Sequence, residues 1–153
     1  MRIYRIADGR HPVWDGMGAA LLGGRWNSPG RALIYGSLSY ACCMLEILAH
    51  ANTGRIPATH RYVVATIPDR VSWEQVSEDC LPADWDSDDS ASAREYGDCW
   101  LAEARSAILL VPSVVARLEW NALVNPAHPD AKRLFLSEPA PVIWDRRLFK
   151  KES

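Results

Sequence analysis

Apolar and polar positions change rhythm several times along the chain, and each rhythm predicts an element. Residues 2–6, "RIYRI", alternate with a period of two, as a short strand does. A glycine-rich passage runs from Asp8 to Gly30 and closes in "GGRWNSPG". "ALIYGS" (32–37) reads as a strand, followed by a helix from about 38 to 51 with Ser37 or Ser39 placed to cap it. "RYVVATIP" (61–68) is β-branched enough for a strand. Asp69 to Ala93, carrying "LPADWDSDDSAS", is acidic and polar and predicts a surface loop. "AREYGDCWLAEA" (93–104) returns to helical spacing, with Tyr96, Cys99 and Trp100 on one face. "AILLV" (107–111) is a continuous apolar run that suits a buried strand stopped by Pro112. "NALVNPAHPD" (121–130) reads as a turn-rich loop, and "KRLFL" (132–136) and "PVIWD" (141–145) as two last short strands. Strands outnumber helices without alternating strictly with them. That pattern predicts an α+β fold rather than a doubly wound parallel sheet.

Composition narrows the classes. A chain of 153 residues suits one domain, 1–153, able to bury a core without disulfide or metal staples. Its seven tryptophans promise large buried aromatic contacts. A formal charge of −2 argues against a broad phosphate-binding surface, so direct binding of nucleic acid is not expected. The start, "MRIYRIADGRHPVW", lacks the apolar centre of a signal peptide, and "GMGAALLGG" is too short to span a bilayer. Cys42, Cys43, Cys80 and Cys99 form no C-x-x-C pair and no zinc spacing. Adjacent Cys42 and Cys43 diverge on a helix, which predicts buried thiols in a reducing, cytoplasmic setting.

The chemistry centres on "SYACCMLEILAHA" (39–51), where Glu46 is the single formal charge. On a helical wheel Tyr40, Met44, Ile47, Leu48 and Ala51 form the expected core face. Glu46 falls opposite, with Ser39, Cys42, Cys43, Ala49 and His50. Periodicity alone leaves two readings open: a solvent face, or a face of small residues closely approached by a strand, loop or ligand. Glu46 and His50 are also i,i+4 neighbours, with His50 a structural partner rather than a catalyst. In "GGRWNSPG", the two glycines permit unusual dihedrals or close approach, and the Arg25 fork suits a phosphate or carboxylate. A turn with a structural arginine is the alternative there. Tyr35 would by default be core, and Ser113, after Pro112, a turn cap.

Taken together, "GGRWNSPGRALIY", "SLSYACCMLEILAH", "GDCWL", "LLVPSVV", "NALVNPAHPD" and "WDRRL" resemble the RES-domain family in order and spacing, over nearly the whole chain. The resemblance implies an ADP-ribosyltransferase-like fold, with twisted β-sheets around an NAD⁺ cleft flanked by helices. Matched residues are Arg25, Tyr35, Glu46 and Ser113 as the catalytic set. Arg25, Tyr35, Ser113, Trp26 and Asn27 are the implied substrate contacts, with no metal. It further implies a toxin that degrades NAD⁺ by hydrolysis or phosphorolysis, or transfers ADP-ribose to a protein. A catalytically silent antitoxin-binding module is a further alternative. NAD⁺ would be substrate rather than retained cofactor, in keeping with the absence of G-x-G-x-x-G. The implied partner is an antitoxin with an Xre-type helix-turn-helix, forming a hetero-oligomer that reaches DNA only through the antitoxin.

Overall fold

The computed structural model describes residues 1–51 and 54–150. Its frame is one eight-stranded sheet. The elements run β1 (Arg2–Asp8), α1 (Met17–Leu22), β2 (Ile34–Ser37), α2 (Tyr40–Ala51), β3 (His60–Thr66), β4 (Trp73–Gln75), α3 (Ala91–Glu103), β5 (Ile108–Pro112), β6 (Trp120–Val124), β7 (Phe135–Leu136) and β8 (Ala140–Pro141). The strands lie in the order β4-β5-β6-β2-β1-β3-β7, with β8 also on β3. Every pairing is antiparallel except β4 with β5. The expected α+β class is therefore observed. Among the described residues no helix is long and apolar enough to cross a membrane.

Side-chain alternation along paired strands divides the sheet into two faces. Ile3, Ile34, Ala65, Ile108, Leu110, Ala122 and Val124 fill one face, under Trp14, Ala131 and Leu134. Tyr4, Tyr35, Ser37, Leu109, Val111, Asn121 and Leu123 point to the other. Two helices share that second face. α2 packs over β1 and β2, with Tyr40 edge-on to Tyr62 and Tyr4. α3 packs over β5 and β6 through Ala93 and Trp100, together with Trp26 and Trp85.

Several expectations need correction. "NALV" is no loop: Trp120–Val124 is a central strand between β5 and β2. Its three apolar residues are few beside the following Asn-Pro-Ala-His-Pro turn, and two flanking strands supply the ladder that local propensity does not. β4 and a 3-10 turn at Glu78–Cys80 lie inside the expected acidic loop. The glycine-rich passage holds α1. "KRLFL" keeps only Phe135–Leu136 as strand, because Lys132 and Arg133 finish a 3-10 turn begun at Pro129. "PVIWD" pairs only through Pro141, plus a bond from Val142 N to the His60 carbonyl, and Ile143 is exposed.

Both helices present a different inner face from the one their spacing predicts. In α2 the buried residues are Cys42 and Cys43, not Met44 or Leu48, which are half-exposed. Small thiols let this helix lie close to the sheet, so the face carrying Glu46 is the inner one. Both cysteines are free and buried, and Cys43, shut away from water, has its thiol pushed up to about 12. In α3 the inner face is Ala93, Gly97 and Trp100, whereas Cys99 is exposed. Ser39, one of the two expected caps, accepts a bond from Cys42 N at 3.2 Å.

Candidate active site

Glu46 leaves the inner side of α2 and meets the ends of two strands. Its Oε1 accepts 2.7 Å from Ser113 Oγ and 2.6 Å from Asn121 Nδ2. Neither of these donors bonds Oε2. Ser113 is fully buried just after β5, and its hydroxyl also accepts from Ala116 N at 2.9 Å. That backbone bond sets the hydroxyl rotor, so its proton is directed at the carboxylate. Asn121 begins the part of β6 that pairs with β2, opposite Ser37, whose Oγ donates 2.7 Å to Asn121 Oδ1. The Cys42 thiol lies 3.8 Å from the same oxygen. His50 is exposed, and Glu46 turns to Ser113 and Asn121 instead of to it. The charged group is thus held by neutral donors in a half-buried position, and these hydrogen bonds answer its desolvation.

Two residues along β2 from Ser37, Tyr35 points to the same face. Its hydroxyl donates 2.6 Å to Asn27 Oδ1 and accepts 3.0 Å from Trp26 N. Burial pushes the phenol well above the usual tyrosine range, so it stays protonated. Gly24 is required beside it, since a Cβ there would stand 2.5 Å from the phenol oxygen. Asn27, fully buried, completes the turn with bonds from Nδ2 to the Ala19 and Arg31 carbonyls at 2.8 and 2.9 Å. Trp26 is buried against Trp85, rings 6.0 Å apart and stacked, and edge-on to Tyr96. Both residues sit inside the scaffold of the loop.

Arg25, between them and Gly24, is half-buried. Its Nη1 donates 2.8 Å to the Ser87 carbonyl and 3.2 Å to that of Trp85. The acidic segment is therefore a strap across the arginine. A second cation secures it: Arg117 lies 5.4 Å over the Trp85 ring and bonds Asp86 at 2.7 Å, holding that carboxyl below its usual range. From the far side Asp98 of α3 accepts from Ser28 N at 2.9 Å and Ser28 Oγ at 2.5 Å. The helix comes so close that a Cβ on Gly97 would stand 1.8 Å from the Trp26 carbonyl oxygen. On the opposite sheet face, half-buried Arg5 donates to the carbonyls of Val13, Asp15 and Tyr35. Desolvation lowers its pKa, and the three carbonyls stand in for lost water.

One continuous set of bonds thus links Glu46 through Asn121 to Ser37 on β2, and Tyr35 of that strand to the Arg25 loop. The sequence matches the model of the RES domain over residues 2–145. This chain belongs to the RES domain family. It is 38% identical over 140 residues, 90% of this chain and 87% of the relative, to a Sphingobium protein named Prs ADP-ribosylating toxin. It is 34% identical over 152 residues, 97% and 99% of the two chains, to a Yersinia enterocolitica protein named Toxin Res. Among solved structures, the M. tuberculosis MbcT–MbcA toxin–antitoxin complex contains a chain with the same fold, at TM-score 0.74 and 20% identity. The match covers 92% of this chain and 83% of that one.

Within this RES domain the structure brings Glu46 and Ser113 into direct contact, and joins Tyr35 of β2 to the loop that carries Arg25. Sequence reasoning missed Asn121, Ser37, Asp98 and Gly97. "NALVNPAHPD" and "GDCWL" contained the signal, but Asn121 carries meaning only once "NALV" is a strand beside β2. Gly97 is legible only as an interruption of a helix, which a packing partner must explain.

Proposed function

We propose that this chain is the toxin of a toxin–antitoxin module and breaks the bond between nicotinamide and ribose in NAD⁺, passing ADP-ribose to water or phosphate. The observation that carries this reading is the Glu46 carboxylate, fixed through Oε1 by Ser113 and Asn121 while Oε2 takes neither donor. Cleavage builds positive charge on the ribose C1′ and ring oxygen, and nicotinamide leaves as a neutral base. No strong general acid is needed. A directed carboxylate oxygen stabilises that charge and can hold a ribose hydroxyl, most effectively where water is scarce. Water attacking C1′ gives ADP-ribose and a released proton; phosphate attacking gives the 1-phosphate ester.

The remaining residues follow from their contacts. Ser113, fully buried and held by Ala116 N while it donates to the carboxylate, orients Glu46. Arg25, anchored on one nitrogen by two carbonyls, offers its other N–H groups to the pyrophosphate or a ribose. The Tyr35 hydroxyl is engaged on both sides, leaving its ring for nicotinamide. Trp26 and Asn27 support these residues from behind. NAD⁺ is the substrate, with no retained cofactor and no metal.

The name of the Sphingobium relative favours a second reading, in which the same site passes ADP-ribose to a protein. The partner we assign is an antitoxin with an Xre-type helix-turn-helix. It covers Arg25 and Glu46 and contributes the DNA-binding surface that a chain of net charge −2 lacks.

The test is incubation of antitoxin-free protein with NAD⁺, with and without phosphate, and identification of the products. Stoichiometric nicotinamide without redox change is expected, with Glu46→Gln slower by about 10²-fold or more. Intact NAD⁺ with the folded protein, also in the presence of candidate acceptor proteins, would instead leave a silent antitoxin-binding module.

A further inference from the structure

Of the residues that touch Glu46, Asn121 is the one the sequence motif did not single out. We infer that Asn121 is a positioning residue: with Ser37 behind it, it selects which oxygen of Glu46 is presented to the substrate. This deepens the reading above and rests on Glu46 being the group that meets the developing cation.

The argument begins with what each atom can do. A carboxylate only accepts, so the Asn121 atom 2.6 Å from Glu46 Oε1 must be the amide nitrogen. Turned over, the amide would set its own oxygen against the carboxylate and turn its NH₂ toward Ser37 and Cys42. The Ser37 hydroxyl, donating 2.7 Å to Oδ1, and the Cys42 thiol at 3.8 Å favour the orientation observed. Asn121 is itself held on both sides, paired with Ser37 of β2 and Val111 of β5. Ser113 approaches the same Oε1 from the end of β5. Two donors on one oxygen fix the carboxylate plane and make its two oxygens unlike. Oε1 is the anchored one and Oε2 the reactive one. A glutamate on a helix, with three rotatable side-chain bonds, would otherwise sample several arrangements, and misplacement by about 1 Å costs about 10²-fold in rate.

Asn121→Ala and Asn121→Asp separate positioning from a structural role, with folding checked by circular dichroism and melting. Asn121→Ala should lower kcat about 10- to 100-fold with KM little changed, because substrate is still bound but the carboxylate is no longer aimed. Asn121→Asp sets two carboxyl groups at hydrogen-bond distance. They share a proton, so the acid limb of the kcat profile should move to higher pH. Should Asn121→Asp not fold, Ser37→Ala serves instead, and a smaller fall in kcat at constant KM is expected. Folded variants with unchanged kcat and unchanged pH profile would overturn the inference.

Carbon-13 NMR of the glutamate carboxyls gives a readout independent of turnover. The Glu46 signal should titrate at higher pH in Asn121→Asp than in wild type; coincident curves count against the contact. If wild type releases no nicotinamide, the proposed reaction fails while this titration still decides whether Asn121 governs Glu46.

Discussion

Tyr35 belongs to both the candidate site and its scaffold. Its hydroxyl serves both Trp26 N and Asn27 Oδ1, so Tyr35→Phe leaves a buried donor and acceptor unpaired. A loss of about 1–3 kcal/mol in unfolding free energy is expected, read by urea denaturation. The pH dependence follows with a definite sign. Burial raises the folded phenol above its ordinary value of about 10, whereas the unfolded chain ionises near that value. Its contribution is therefore complete below about pH 10 and is lost as pH rises beyond it, by up to about 1.4 kcal/mol per pH unit. Tyr35→Phe should melt with a shallower alkaline decline than wild type. Equal slopes would mean that this phenol does not control the alkaline limb.

Among the elements, α3 carries the sharpest requirement. A methyl group on Gly97 would meet the Trp26 carbonyl at 1.8 Å, and a backbone atom held inside a buried turn cannot step aside. Gly97→Ala should therefore cost at least the about 1–3 kcal/mol typical of overpacking, and displace the Arg25 loop with it. Gly18 of α1 is the control. Nothing lies within 4 Å of its Cβ position, so Gly18→Ala should be neutral or stabilise by up to about 1 kcal/mol. Similar melting temperatures for the two variants would contradict the packing described. Elements also show where the sequence could be read and where it could not. β1, β3, β5 and α3 were visible because their patterns are strong and self-contained. α2 was visible as a helix with buried thiols, but its pattern left the Glu46 face open between solvent and close approach by a strand. A serine and an asparagine from distant strands decide for the second. β6 was hidden for a related reason: its stability comes from two neighbouring strands rather than from its own four or five residues.

For the whole molecule, the candidate site lies on one sheet face covered by two helices, with Glu46 on α2 and the Arg25 loop beside α3. This arrangement leads to a prediction about the complex. An antitoxin seated over that face should suppress NAD⁺ turnover in the co-purified assembly, while operator binding appears only with the antitoxin present. Turnover by the complex as fast as by the free chain would contradict it, and so would tight operator binding by this chain alone.

The spacing of Glu46 from its donors has a consequence for the chain while it is being made. Ser113 and Asn121 follow it by 67 and 75 residues. At about 5–20 residues per second, the ribosome needs roughly 4–15 s to pass from the glutamate to the asparagine. For most of that interval, until Ser113 is made, the nascent polypeptide has its acidic group without either anchor, and β2 lacks its β6 neighbour. If Glu46 acts as proposed, a growing chain should be inactive until β6 has emerged and docked, and a message broken before codon 113 should yield no active product. Fragments ending there should leave cellular NAD⁺ untouched when expressed without any antitoxin; NAD⁺ depletion by such a fragment would show that the anchors are dispensable.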